Sequence, residues 1–293
     1  MSGRDQHQTI FAALAAATAE LSALGVDAPR ASAELLAAKA QGMSRLGLVT
    51  HAKDPFEAEA FDVFRALVAR RAKGEPVAYL LGEKEFYGLS FHVSPDVLIP
   101  RPETELMIDE AQRLFPTDSV LSFADFGTGS GALAVALAHV FPNARGIAID
   151  LSAEALEVAR RNARRHKVEE RLEFRCADFT RIELAPASLD MIVANPPYVT
   201  ETEYAELSRE VRDFEPASAL VSPDEGLAHI HGLARVAKTA LKPGGTLLCE
   251  FGSGQGRAVL DFFRSPDQGF AAPVILRDYS GLDRMLRAER SAA

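Results

Sequence analysis

Asp125-Phe126-Gly127-Thr128-Gly129-Ser130-Gly131-Ala132 closes an apolar run over 120–126 and opens a run of helix formers over 132–141. Glycines at a strand-to-helix junction permit a tight turn and let a ligand approach the backbone closely. Beyond this junction the same alternation continues. Strand-like apolar runs occupy 146–149, 172–175, Leu189–Ala194 and 246–251, and a second helical stretch spans 153–166. Strands alternating with helices imply an α/β fold, a doubly wound parallel sheet covered on both faces. The tail, 273–278 and then 283–288, reads as a closing pair of strands.

Ahead of the junction the pattern is different. Ile10, Phe11 and Leu14, then Leu21 and Leu24, then Leu35 and Leu36, and later Phe61, Phe64, Leu67 and Val68 recur at helical spacing. Gly25 and Gly42 read as helix stops, and Asp54-Pro55 as a start. Residues 85–93, aromatic and β-branched around Gly88, read as a β-hairpin. The expected organisation is a small all-helical domain over 1–84, a hairpin linker over 85–100 and an α/β domain over 101–293.

Composition sets bounds. The chain has 293 residues, enough for two domains, with 47% hydrophobic and 25% charged residues, as in ordinary globular proteins. Met1-Ser-Gly-Arg-Asp-Gln-His7 lacks an apolar signal core, and no run approaches membrane-spanning length, so a cytoplasmic protein without membrane association is expected. Cys176 and Cys249 stand apart without CxxC, and the histidines, His229 and His231 included, form no HExxH, so no metal site is expected. His229 and His231 read as structural or exposed. A net charge of −9 argues against a broad nucleic-acid surface. Arg160, Arg161, Arg164, Arg165 and Lys167 read as a solvated face at a helix C-terminus.

The glycine turn fits G-x-G-x-x-A, which does not by itself choose between NAD and S-adenosylmethionine. Roughly 20 residues on, 146–149 ends in Asp150, an acceptor suited to ribose hydroxyls. Asp178 follows the next strand beside Phe179, whose ring would border an adenine. Singly each carboxylate reads as a surface or capping residue; at successive strand ends they read as a nucleotide site. A second glycine cluster, Gly252-Ser-Gly254-Gln-Gly256 with Asp278 beyond it, has nearly equal spacing. Asp125 distinguishes the first: a methionine-derived ammonium wants an acceptor there, whereas a pyrophosphate disfavours a carboxylate.

Asn195-Pro196-Pro197-Tyr198 follows the run Leu189–Ala194. Two prolines remove two backbone donors, and each pushes its predecessor toward extended geometry. The carbonyls of this rigid exit act as acceptors, with an aromatic face beside them. Such a cluster suits a planar –NH2 group. Alone, the tetrapeptide reads as a proline-rich turn; beside a nucleotide site it reads as catalytic, with Asn195, Pro196 and Tyr198 the acting residues.

Together these residues resemble the class I S-adenosylmethionine-dependent methyltransferases that act on nitrogen, and within them the release factor glutamine methyltransferases (the HemK/PrmC family). The resemblance extends through Tyr79-Leu-Leu-Gly82, Phe86-Tyr-Gly88, Leu98-Ile-Pro-Arg-Pro-Glu-Thr-Glu105, Glu210-Val-Arg-Asp-Phe-Glu-Pro216, and Asp278-Tyr-Ser-Gly281 before Arg284. It implies a Rossmann-like methyltransferase sheet, mostly parallel with an antiparallel last strand. It implies methyl transfer to the amide nitrogen of the glutamine in the Gly-Gly-Gln loop of class I release factors; a monomer is expected. By the same resemblance Gly127, Thr128, Gly129, Ser130, Gly131, Asp150, Phe179 and Asn195 contact the cofactor, and Asn195, Pro196, Pro197 and Tyr198 hold the glutamine. Arg101 and Glu103 would shape the mouth of the site, and the helical domain would help dock the protein substrate. Family members often carry tryptophan where Phe179 stands, and this chain has none. The alternatives are a ribosomal-protein glutamine methyltransferase, whose family differs around Arg101–Glu105, and an adenine-N6 methyltransferase. The acidic balance and the lack of a long target-reading insert count against the latter.

Overall fold

A computed structural model of the chain describes residues 8–292. The expectation for Met1–His7 and the outermost ends of the expected domains lie outside the described residues. The chain divides into two units, one running to Glu83 and taking in Ser208–Phe214, the other holding Lys84–Leu207 and Glu215 onward.

The first unit is helical, with α1 (Ile10–Ala23), α2 (Pro29–Gln41), α3 (Arg45–Thr50), α4 (Ala58–Ala72) and α5 (Val77–Leu81). Thr9 caps α1 through Oγ1, which accepts from Ala12 N at 3.2 Å, and Gly42 ends α2 in the left-handed region at φ 63°. Ile10, Ala13, Ala17 and Leu21 line one face of α1 and are buried with Leu36, Phe64 and Val68. Phe11 and Leu24, expected in that stripe, face solvent. Arg71 on α4 is buried; its guanidinium meets Glu210 at 2.7 Å, Glu75 O at 3.0 Å and Ser32 Oγ at 3.4 Å. Glu210 explains why Ser208–Phe214 belongs with these helices, which sequence distance conceals.

From Lys84 the second unit opens within a hairpin, β1 (Glu83–Phe86) and β2 (Leu89–His92), turning through Tyr87 and Gly88 at φ 51° and 72°. Two successive positive φ values give a two-residue turn whose twist matches the strands. This hairpin is no free linker. Phe86 and Phe91 are buried in the core of the α/β unit, and Asn162 donates to His92 O and accepts from His92 N.

Next come α6 (Leu106–Leu114), β3 (Ser122–Phe126), α7 (Ala132–Val140), β4 (Arg145–Asp150), α8 (Ala153–Arg165), β5 (Leu172–Cys176) and β6 (Leu189–Ala194). They are followed by α9 (Glu201–Glu206), by α10 (Arg209–Arg212) in the strip that belongs to the helical unit, and by α11 (Ala228–Ala240), β7 (Leu241–Glu250), α12 (Gly256–Arg264), β8 (Phe270–Arg277) and β9 (Asp283–Arg290). The sheet order is β5-β4-β3-β6-β7-β9-β8. Strands β3 to β7 run parallel, and only β9 opposes its neighbours. Period-two alternation sends Phe123, Met191, Val193 and Leu248 to one buried layer and Phe126, Ile192, Leu247 and Cys249 to the other. Strand β7 starts at Leu241 rather than 246, pairing with Leu189 before a register shift; Pro243-Gly244-Gly245 hid that start.

Strand order reverses at β3, flanked by β4 and β6, and ligands in open α/β sheets bind at such switch points. The register aligns the exits: Ala194 pairs with both Phe126 and Cys249. Gly127, Asn195 and Glu250 therefore leave the sheet side by side. Among the described residues no helix is long and apolar enough to cross a membrane, and no cluster of metal-ligating side chains occurs.

Candidate active site

The turn after β3 uses its glycines. Gly127, Gly129 and Gly131 have φ of 72°, 53° and 79°, and Gly127 N and Thr128 N both donate to Ile149 O at 2.9 Å. A Cβ on Gly131 would lie 3.0 Å from Ala159 Cβ, so this glycine lets α8 pack against the turn. Asp125 is buried at the strand's end. Its Oδ2 accepts from Thr128 Oγ1 at 2.6 Å and from Ala134 N at 3.1 Å. Burial pushes the Asp125 carboxyl up to about 7 against those two hydrogen bonds. Asp125 Oδ1 is the one buried side-chain oxygen or nitrogen without a partner among the described residues.

Asp150, at the end of β4, accepts from Gly129 N at 2.8 Å and Ser152 N at 3.0 Å, and burial raises its pKa. Asp178 accepts from Thr180 N and Oγ1 at 2.9 and 2.6 Å; chiefly the hydroxyl lowers its pKa. Phe179 is buried, its ring centroid 5.8 Å from Phe126 and 5.9 Å from His229.

Three adjoining cavities meet here. One of about 220 Å³ is lined by Gly127, Gly129, Asp150, Asp178, Phe179 and His229 among others. A recess of about 50 Å³ is lined by Asp125, Thr128, Ser130, Arg101 and Thr104. A slot of about 40 Å³ is lined by Arg101, Pro196, Tyr198, Val199 and Leu220. Leu98 and Asn195 line all three. A larger open groove of about 550 Å³, walled by Arg145, Arg171 and Arg175, contains none of the expected residues; size alone does not mark the site.

Asn195 donates from Nδ2 to Thr104 Oγ1 at 3.0 Å, and Thr104 donates to Glu250 Oε2 at 2.7 Å. Tyr198 donates its hydroxyl to Glu250 Oε1 at 3.1 Å. Burial, then the Glu250 charge, raises the Tyr198 pKa, and burial raises that of Glu250. The Tyr198 carbonyl is pinned by Gln255 Nε2 at 2.9 Å, and a Cβ on Gly226 would stand only 2.1 Å from it. Arg101 donates to Glu215 Oε1 at 2.6 Å, while Glu215 Oε2 accepts from Ile99 N at 3.0 Å. This fixes the 98–101 wall.

The structure thus brings together Asp125, Gly127, Thr128, Gly129, Ser130, Asp150, Asp178, Phe179, Arg101 and Asn195–Tyr198, with Gly131 behind the turn. Glu103 is exposed and lines none of the three cavities. The second glycine cluster serves Tyr198 instead: Gln255 accepts from Gly252 N at 2.8 Å while holding the tyrosine carbonyl. Its distant carboxylate, Asp278, pairs with Arg284 at 3.2 Å and closes the β8–β9 turn. Sequence reading gave no site role to Leu98, Glu215 or Glu250, named Thr104 only within the stretch 101–105 that the resemblance ties to substrate, and placed His229 outside the site. Glu250 carried a signal, a carboxylate at a strand exit like Asp125 and Asp150.

The donor set suits a nucleotide-linked amino acid. An orphaned buried carboxylate oxygen suits an ammonium, Asp150 suits ribose hydroxyls, and Phe179 with His229 offers a flat-walled cavity.

Comparison with known proteins agrees. A family model described as the PrmC N-terminal domain matches residues 12–82, and one described as a methyltransferase domain matches residues 117–253. The release factor glutamine methyltransferase of Nitratidesulfovibrio vulgaris is 45% identical over 285 residues, 97% of this chain and 96% of the relative. That of Chlorobaculum tepidum is 42% identical over 270 residues, 89% of this chain and 90% of the relative. A solved methyltransferase from Pyrococcus furiosus shares the fold, with a TM-score of 0.50 at 18% identity over 76% of this chain and 98% of its own. On the strength of near-full-length identity and the matched N-terminal domain, the chain belongs to the release factor glutamine methyltransferase family.

Proposed function

We propose that this chain methylates the side-chain amide nitrogen (N5) of the glutamine in the Gly-Gly-Gln loop of class I release factors, with S-adenosylmethionine as donor. The observation that carries the reading is the placement of Asn195, which lines the large cavity, the recess and the slot at once. A residue so placed can touch donor and acceptor together.

The backbone of Gly127–Gly131, Asp150, Asp178 and Phe179 would hold the nucleotide part, and Asp125 the ammonium. S-adenosylmethionine, when bound, supplies an electrophilic methyl group on a sulfonium. The remaining work falls to the slot. An amide nitrogen is a poor nucleophile because its lone pair is delocalised into the carbonyl. Asn195 Nδ2 is engaged by Thr104, so Oδ1 is the end available to accept one substrate N–H, and the Pro196 carbonyl accepts the other. Both bonds raise electron density on the nitrogen and aim it, with reacting atoms roughly 3–3.5 Å apart. Tyr198 offers its ring to the flat amide. The methylated nitrogen is strongly acidic and loses its proton to water, so no general base is required. The helical unit would help dock the release factor, and the reaction belongs in the cytoplasm, where translation terminates.

Incubation of the purified protein with labelled S-adenosylmethionine and a purified release factor, a ribosomal protein or DNA tests this. Label is expected in the release factor only, at the Gly-Gly-Gln peptide. Label that persists when that glutamine is replaced by alanine overturns the reading.

A further inference from the structure

Asn195 carries a side-chain amide whose two ends are nearly the same size, and only one orientation serves the slot. With Oδ1 toward a substrate –NH2 the pairing is acceptor to donor; with Nδ2 there, donor faces donor. The tetrapeptide's own stiffness fixes the backbone but not this rotation. Something else has to choose the end.

Thr104 Oγ1 stands between Asn195 Nδ2 at 3.0 Å and Glu250 Oε2 at 2.7 Å, and Thr104 and Glu250 are both buried. A hydroxyl has one proton. An ionised carboxylate only accepts, so it takes that proton, turns the hydroxyl lone pairs toward Asn195, and leaves the NH2 end as the only end that can satisfy them. A protonated Glu250 can reverse every bond in the chain, drawing Oδ1 to Thr104 and sending NH2 into the slot. The other oxygen of Glu250 meanwhile receives the Tyr198 hydroxyl, so one carboxylate serves both working side chains of the tetrapeptide.

We propose that Glu250 is a positioning residue that, through Thr104, sets which end of the Asn195 amide faces the substrate. The proposal rests on the glutamine reading only for the identity of the group in the slot. Glu250 is faced by the Thr104 and Tyr198 hydroxyls, by the charge of Arg284, which favours ionisation, and by that of Glu103, which opposes it. Arg284 is itself paired with Asp278. Activity should therefore decline on the acid side as Glu250 takes up a proton, and its burial moves that decline above the ordinary carboxylate range.

The test pairs an isosteric with a conservative substitution. Thr104→Val is expected to lower kcat about 30- to 100-fold, below the roughly 100- to 1,000-fold for losing a hydrogen bond made directly to the reacting group, with S-adenosylmethionine affinity by calorimetry within about threefold. Thr104→Ser is expected to restore kcat to within about threefold, and Glu250→Gln to abolish the acid limb of the kcat–pH profile. A second readout needs no substrate. In the nitrogen-15 spectrum of the chain, the Asn195 side-chain NH2, identified by its absence in Asn195→Ala, is expected to show one slowly exchanging proton that Thr104→Val loses. If the wild-type chain methylates no release factor, the glutamine reading fails, and this spectrum still decides the relay. Full kcat in Thr104→Val, no rescue by serine, or an unchanged Asn195 signal overturns it.

Discussion

Under the proposed function Asn195 and Asp125 do different work at two neighbouring strand exits, and their substitutions should separate cleanly. Asn195→Ala removes an acceptor for the substrate but no buried structural partner other than the Thr104 hydroxyl. S-adenosylmethionine binding by calorimetry is expected to stay within about tenfold, while the methyl-transfer rate falls on the order of 100-fold or more. Asp125 instead bears on stability through its burial and, under the proposed function, on donor binding. Its folded pKa, about 7, lies above the value of 3.8 for an unperturbed carboxyl. The folded state then holds more protons than the unfolded one between those values, so this group's contribution to stability declines as pH rises from about 4 to 7 and is level above. Thermal scans of the ligand-free chain across that window are expected to show the decline, and Asp125→Asn to make it shallower, with Asp150 and Glu250, whose pKa values burial also raises, keeping a part of it, while weakening S-adenosylmethionine at least tenfold. That Asn195–Tyr198 forms a rigid strand exit was legible because proline restrictions are local and act through neighbours in sequence. Thr104 and Glu250 were not, since the bonds joining them to Asn195 and to each other span 91 and 146 positions.

At the scale of elements, most of the sheet could be read from alternation, and β6 was located to the residue as the apolar run that Asn195 and the two prolines close. The hairpin's role was less legible. Its aromatic pattern predicts β1 and β2, but not that Asn162, on α8, would bind it to the glycine turn. Asn162 is fully buried, accepts from His92 N at 2.7 Å, and donates to His92 O at 2.9 Å and Ser130 O at 2.8 Å. Asn162→Leu removes all three of these hydrogen bonds. A loss of about 2–4 kcal/mol is expected, seen as a fall in Tm of roughly 5–10 °C. The loop before α11 gives a contrasting case. Gly226→Ala places a Cβ into the Tyr198 carbonyl at φ 80°, so the loop must shift and take the tyrosine with it. Its expected signature is a fall in kcat of at least tenfold with little change in S-adenosylmethionine affinity, since Gly226 lines none of the three site cavities.

At the scale of the molecule, the division into a helical and an α/β unit was legible from the change in hydrophobic period near residue 85. The membership of Ser208–Phe214 was not, because an ion pair across 139 positions, from Arg71 to Glu210, leaves no local pattern. Arg71 is 4% exposed at its side chain and Glu210 34%, so losing the carboxylate leaves a buried guanidinium with only neutral partners. Glu210→Ala is expected to cost about 1–3 kcal/mol, less than a wholly buried pair because Glu210 is partly in water. Differential scanning calorimetry is expected to show this as a lower first transition, with the α/β unit's own transition unmoved.

That non-contiguous make-up restricts how such a gene can be recombined. A crossover near codon 84 hands the recipient a helical module missing seven of its residues, 208–214, and leaves an orphan strip inside the donor's other half. Chimaeras between relatives should tolerate exchange of the first 83 residues only when that strip travels with them. Drift at position 210 should likewise be answered at position 71 before it is answered by anything nearer in the chain.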